Sequence, residues 1–433
     1  MAPLGTNGRR VAVIAGVRTP FAKAGTMLKN LSAIELGKIC VAELIQRTEL
    51  DGHDVDAIVY GTVVPSVIAP NIAREVSLLP MVPRGVEAFT VGRACASANQ
   101  AITDAADQIV LGHHDVVIAG GAESLSNVPI LHSRSMSDKL VALSRARSMG
   151  QRLGILGSIR PRDLVPITPA IAEPSTGETM GQSAEKMAKI NGIQREEQDQ
   201  FALRSHRLAA VGLEDGRLTA EITPVWVPPK FEQSLDTDNG VRRDTSIEQL
   251  RGLKPVFDRR YGTVTAGNSS PLTDGGSAVL LMSEEKAHVL GYKPLAYIRS
   301  YSYAALDPGE QLLMGPVLAA PVALERAGLQ LKDMDLVEMH EAFAAQVLCN
   351  LKGLESKAWA ERAGYTKPVG EVDRSRLNVM GGSLSIGHPF GATGGRILTS
   401  LCNELVRRDG TFGLMTVCAA GGMGHAMVLE RAA

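Results

Sequence analysis

Apolar residues along the chain fall into two alternating rhythms, short unbroken runs and longer stretches spaced three or four residues apart. RRVAVIAGVRTPF opens as a buried strand, LSAIELGKICVAELIQRT has the spacing of an amphipathic helix, and VDAIVYGTVV is a strand again. AITDAADQIVLG then reads as a helix feeding the strand DVVIAGG. Runs without polar alternation need cover on both faces, so the pattern predicts an α/β protein with a mostly buried sheet.

The second half repeats this order. VALERAGLQLKDMDLVEMHEAFA, from Val322, parallels ELIQRTELDGHDVDAIVYGTVV: a helix ends, a loop carries Asp-x-Asp (Asp54 and Asp56; Asp333 and Asp335), and a buried strand follows. GATGGRILTSLCNELVRRDGTFGLMTVCAAGG likewise parallels SANQAITDAADQIVLGHHDVVIAGG, and Gly276 to Ser283 matches Gly424 to Glu430. A duplication of this kind predicts two similar halves about a pseudo-twofold axis, with a site between them. The first half is expected to span 1–123 and 261–290, and the second 291–433. Between them 124–260 has no counterpart and is expected to form an inserted lid or loop domain. Within it, 137–162 carries Lys139, Arg145, Arg147, Arg152, Arg160 and Arg162 against the single acid Asp138. Such a segment suits an acidic partner, a peripheral membrane contact, or simply a solvated helix face.

Composition narrows the class. At 433 residues the chain can bury a sizeable core, and 45% hydrophobic with 21% charged residues excludes disordered and collagen-like chains. A formal net charge of -1 argues against nucleic acid as the main ligand. Cys40, Cys95, Cys349, Cys402 and Cys418 are scattered with no CxxC pair, so neither a zinc ribbon nor a disulfide scaffold is expected. A reducing compartment and a cytoplasmic location fit best. The run Val11 to Val17 is too short for a secretory core, and no stretch approaches a membrane span.

Candidate chemistry sits in small-residue loops. GRACASANQA places Cys95 just before a helix start, where free N–H groups and the helix dipole favour a thiolate. NVMGGSLSIGHPFGATGGR holds His388 in a glycine-dense loop, where an imidazole can serve a thiol as base. The loop lacks the Gly-Lys-Ser/Thr ending of a phosphate-binding loop. VCAAGGMGH ends a strand at Cys418, and MHEAFAAQ ends one at His340 and Glu341. Each residue alone is more often structural, since cysteine is commonly a small buried hydrophobe. By the duplication, however, all four lie at equivalent strand ends.

With GRACASANQA, GGAESLSNVP, RRYGTVTAGNSSPLTDGGSAVLLMS, HEAFAAQ, GGSLSIGHPFGATGGR and CAAGGMG in this order, the sequence resembles the thiolase family through most of its length. The HEAFA and CAAGGMG variants are most similar to thiolase subunits of trifunctional fatty-acid oxidation complexes. The resemblance implies a duplicated five-layer α-β-α-β-α fold with an inserted lid, and thiolytic cleavage of 3-ketoacyl-CoA in β-oxidation. Cys95 is then the acyl-carrying nucleophile, His388 the base that activates it, Cys418 the general acid and base, and His340 an oxyanion donor with His388. Many family members have Asn where His340 stands, and Gly where Ala420 stands. For coenzyme A, the family pattern points to Ser270, Met180 and Phe343. Arg242, Arg243 and Lys254 are candidates for its phosphates, with plain surface charge as the other reading. Coenzyme A is a co-substrate; no permanent cofactor and no metal are expected. An assembly of at least two copies is implied, and a hydratase-dehydrogenase α-subunit is a candidate partner. The competing readings are a biosynthetic acetyl-CoA C-acetyltransferase, a decarboxylating ketoacyl synthase and a non-catalytic assembly subunit.

Overall fold

Five strands of the first half lie side by side: β1 (Val11–Arg18), β2 (Ala57–Gly61), β3 (Glu87–Val91), β4 (Val116–Glu123) and β5 (Thr273–Ser283). Their spatial order is β1-β5-β4-β2-β3, with β5 antiparallel to both its neighbours and β4, β2 and β3 parallel. The second half, β6 (Ala296–Ala305), β7 (Leu336–Met339), β8 (Phe412–Ala419) and β9 (Met423–Arg431), repeats this as β6-β9-β8-β7. There β9 is antiparallel to both neighbours, β8 is parallel to β7, and Leu377 bridges Val337 where β3 stands in the first half. Pairing of Ala12 with Tyr297 and Val13 with Ala296 joins the halves into one ten-stranded sheet, whose tenth member is the short strand Ala22–Lys23. The structure is a computed structural model that describes residues 4, 8–167 and 171–432.

The period of two along each strand sorts side chains into layers. In the first half, Ile58, Tyr60, Ile118 and Leu280 face outward onto α1 (Ala33–Thr48), which buries Leu36, Cys40, Val41 and Leu44. Val59, Val117, Val279 and Leu281 face inward onto α2 (Ser97–Leu111). Two further helices, α3 (Met180–Asn191) and α4 (Arg195–Glu214), precede the second half. Its outer face, with Val337, Met339, Leu414 and Val428, is covered by α5 (Gly315–Ala327) and α6 (Ala344–Leu354). Its inner face, with Met415, Val417, Met427 and Leu429, meets α7 (Thr393–Arg407). Because α2 and α7 pack against each other in one cluster with both inner faces, the result is the five-layer order α-β-α-β-α. The thiolase-like fold expected from the sequence is therefore present.

Helix ends follow the sequence closely. Ser32 and Glu35 form a reciprocal capping box on α1, as do Thr179 and Gln182 on α3, each of a kind that stabilises a helix by about 1 kcal/mol. Residues Val128–Ala172 form a compact unit by themselves, and the rest of the described chain forms the other. Within the smaller unit, Arg134–Arg145 and Met149–Gly157 are helical, Lys139 pairs with Asp163 at 2.5 Å, and Leu131 pairs with Ile167. Among the described residues, no helix is long and apolar enough to cross a membrane.

Candidate active site

Cys95 lies in the turn between β3 and α2. Ala94 before it is held at φ 44, a left-handed conformation that costs a residue with a Cβ about 1–2 kcal/mol. Ser97 clamps the turn: its hydroxyl donates to the Ala94 carbonyl at 2.7 Å and accepts from the Arg93 N–H at 2.9 Å. Below, Gly61 lets the start of α2 press onto β2, since a Cβ there would stand 2.6 Å from the Ser97 carbonyl carbon. Cys95 is half-buried, and this burial pushes its thiol up to about 12, beyond what the N–H of Ala420 and its own N–H offset. The thiolate expected from the helix start is thus not the resting form. Loss of hydration outweighs the dipole, so the sulfur needs a partner that takes its proton.

Two imidazoles stand beside it. Cys95 Sγ and one ring nitrogen each of His340 and His388 all lie within 4.8 Å of one another. His388 Nδ1 is 2.7 Å from Thr393 Oγ1, and that hydroxyl donates to the Pro389 carbonyl at 3.1 Å. Thr393 therefore accepts from Nδ1–H, and His388 Nε2 keeps its lone pair, as a base requires. His340 Nδ1 is 3.1 Å from Ser383 Oγ, into which Arg396 Nη2 also donates at 3.1 Å. The Ser383 proton is then free for His340 Nδ1, which leaves the ring proton on His340 Nε2. The two Nε2 atoms sit 3.2 Å apart, one donor facing one acceptor. Burial, then the charge of Arg396, lowers His388 to about 3. Burial, then His388 and Arg396, holds His340 well below the ordinary imidazole value. Both rings are neutral near pH 7.

Cys418 ends β8 and is buried, and burial raises its thiol well above the usual value, with the Cys95 charge as the next cause. The N–H of Ala420, two residues on, reaches Cys95, so the end of β8 lies against the first sulfur. Gly421 and Gly422 take φ 84 and 69, whereas Ala420 is not left-handed, so its backbone tolerates a methyl. Glu173 accepts from the Gly421 N–H at 2.7 Å and fixes this loop.

Ser270 lies beside Phe343, and Met180 packs on the same core. The Ser270 N–H donates to the Ala342 carbonyl at 2.9 Å, and Ser269 bridges Phe343. Phe343 meets Phe257 edge-on at 6.0 Å, and Met180, first residue of α3, packs on the cluster that contains Phe343 and Cys418. Arg242, Arg243 and Lys254 are exposed, and Arg243 pairs loosely with Glu214 at 4.0 Å. Cys40, Cys349 and Cys402 are buried elsewhere in the cores.

Several supporting residues had no role in the sequence reading. Glu123, buried at the end of β4, accepts from the N–H groups of Val63, Val64 and Gly391 at 2.9, 3.0 and 3.0 Å, tying the His388 loop to β2. Its charge reaches Cys95, and burial raises its own carboxyl to about 7. Glu341 accepts from Ser205 and Asn378, each at 2.7 Å. Thr393, Ser383 and Arg396 orient the imidazoles. A lone acid closing an apolar strand, and an arginine in the first turn of a helix amid small and apolar residues, were the available signals for Glu123 and Arg396.

A thiol beside a neutral base, with a second thiol at the facing strand end, defines a cysteine-dependent acyltransferase. The thiolase N-terminal domain matches residues 11–285 and the thiolase C-terminal domain residues 292–431, and the chain belongs to the thiolase family. It is 50% identical over 424 residues to a 3-ketoacyl-CoA thiolase of Shewanella amazonensis, covering 98% of this chain and 97% of that one. A protein of the same description from Pectobacterium atrosepticum is 51% identical over 424 residues, with the same coverage. Among solved structures, human mitochondrial 3-ketoacyl-CoA thiolase in complex with CoA superposes with a TM-score of 0.83 at 31% identity, over 100% of both chains. The acetyl-CoA acetyltransferase of Bacillus anthracis gives 0.83 at 34% identity, over 98% of this chain and 99% of its own.

Proposed function

We propose that this chain is a 3-ketoacyl-CoA thiolase of fatty-acid β-oxidation, with coenzyme A as co-substrate. The observation that carries this reading is the meeting of Cys95 with His340 and His388 beside the end of the Cys418 strand. Relatives of that description at about 50% identity across both chains support it.

His388 Nε2 takes the Cys95 proton as the sulfur attacks the keto carbon, and the C2–C3 bond breaks to leave an acyl group on Cys95. The electron pair goes to C2 as the enolate of acetyl-CoA, whose thioester oxygen faces His340 Nε2–H and the protonated His388. Cys418 delivers its proton to C2 and becomes a thiolate. It then takes the proton of incoming coenzyme A, whose sulfur attacks the acyl group, and Cys95 leaves and recovers its proton from His388. The N–H of Ala420 and that of Cys95 stabilise the tetrahedral adducts, each such donor being worth about 3 kcal/mol in the barrier. Ser270, Met180 and Phe343 hold the pantetheine. The insertion 124–260, of which Val128–Ala172 is a compact unit by itself, is the candidate for setting acyl length. We place the protein in the cytoplasm as a homo-oligomer, with a hydratase-dehydrogenase subunit as candidate partner. Co-purification that yields only copies of this chain removes that partner.

Loss of 3-ketoacyl-CoA absorbance on adding free CoA, measured from short to long acyl chains, tests the reading. Turnover across medium and long chains is expected. Turnover confined to acetoacetyl-CoA would instead favour the acetyltransferase reading, to which the Bacillus anthracis structure lends support.

A further inference from the structure

We propose that Cys95, His340 and His388 also form a binding site for a borderline-soft divalent cation of the Zn²⁺ class, which occupies the catalytic centre and arrests it. The geometry carries the inference. In a tetrahedral zinc site with Zn–N near 2.0–2.1 Å, two imidazole nitrogens stand roughly 3.3 Å apart. Here the two Nε2 atoms are already 3.2 Å apart, and the Cys95 sulfur lies within 4.8 Å of both rings. Closing the sulfur onto such an ion asks for a spacing of about 3.5 Å with Zn–S near 2.3 Å, within reach of a side-chain rotation. A single thiolate with two imidazoles is a donor set that zinc accepts, with the fourth position left to water or an incoming thiol.

The surroundings are those of a built site. Each ring is held from behind through Nδ1 by a hydroxyl, Thr393 for His388 and Ser383 for His340, which leaves the two Nε2 atoms turned to each other. The Ser383 hydroxyl can rotate to accept from His340 Nδ1–H, which frees the His340 Nε2 lone pair for the ion. Because both rings are neutral, no imidazole proton has to leave. The only proton released is that of Cys95: thiol and free ion become a sulfur–metal bond and one proton in solution, with no redox change. Arg396 is faced at 4.0 Å by Glu338, whose carboxyl burial raises to about 8, and the charge of Glu123 reaches Cys95.

Co²⁺ is the probe, since thiolate coordination gives a near-ultraviolet charge-transfer band whether or not the protein turns over. Titration of the intact protein is expected to produce the band at one equivalent per chain, and Zn²⁺ to bleach it. Iodoacetamide labelling of Cys95 should fall at least tenfold in the same range of Zn²⁺. The band should vanish in Cys95→Ala and weaken at least tenfold in apparent affinity in His340→Asn. His388→Asn serves if His340→Asn misfolds by circular dichroism. Absence of the band, a band that survives loss of Cys95, or one whose apparent affinity is unchanged by loss of either imidazole, overturns the site. The proposed thiolysis would be untouched by that result, because it is measured without added metal.

Discussion

The two halves share a backbone and differ in what stands at the strand ends. Ala122 on β4 lies opposite Gly276, and Cys418 on β8 lies opposite Gly424, at the start of the matching GSAVLLM and GHAMVLE runs. Cys418 therefore occupies the place of Ala122. By the same ladders His340, after Met339 opposite Thr416, occupies the place of Gly61, after Tyr60 opposite Gly120. Helices α2 and α7 start at equivalent places too, so Cys95 ahead of Ser97 corresponds to Gly391 ahead of Thr393. One half offers a nucleophile and bare backbone; the other offers acid, base and two imidazoles. Duplication thus built a symmetric scaffold, and divergence of a few strand-end residues made one active site where symmetry would give two.

Removing the first half's contribution should have the largest effect. Cys95→Ala is expected to lower thiolysis and the reverse condensation by about 10⁴-fold or more, with no acyl label on the protein by mass spectrometry. A smaller loss comes from disturbing how the second half orients its base. Thr393→Val removes the acceptor that fixes His388 Nδ1–H, and kcat/KM should fall by roughly 10²-fold, with KM changed far less than kcat. An unchanged kcat would show that another group sets the tautomer.

The pH profile sharpens the contrast between sulfur and imidazole. Burial and Arg396 favour the neutral ring of His388, so its protonation waits until about 3. The acid limb of kcat/KM should therefore lie well below the ordinary histidine value of about 6.5. Burial of Cys95 favours its protonated form, so iodoacetamide labelling should keep rising through alkaline pH instead of levelling off near the ordinary thiol value of about 8.5. A labelling plateau at neutral pH would mean a preformed thiolate. The smallest effect is on stability: Ala94→Gly relieves a left-handed alanine, and denaturant unfolding should show a gain of up to about 1 kcal/mol.

Much of this was legible in the sequence because the information was local. Unbroken apolar runs gave the strands, and their recurrence around Asp54, Asp56, Asp333 and Asp335 gave the duplication. His388 and Cys418 stood out by their glycine-rich loops, Cys95 by its small neighbours ahead of a helix and His340 by its place at a strand end, and the family resemblance assigned their roles. What was not legible depends on distance. The opposed tautomers of His340 and His388 need Ser383, Thr393 and Arg396 in three dimensions, and no spacing announces them. The helix start at Cys95 favours a thiolate and burial opposes it, and that opposition is not legible locally, because desolvation is a property of the folded whole and not of one turn.

The division of labour between the halves is tested most directly by Cys418→Ala given a simple acyl-CoA and, separately, a 3-ketoacyl-CoA with free CoA. The account predicts that Cys95 still takes up the acyl group from the first, because a CoA thiolate can leave without an acid, while cleavage of the second is lost. Cleavage of the 3-ketoacyl-CoA at the wild-type rate would contradict it.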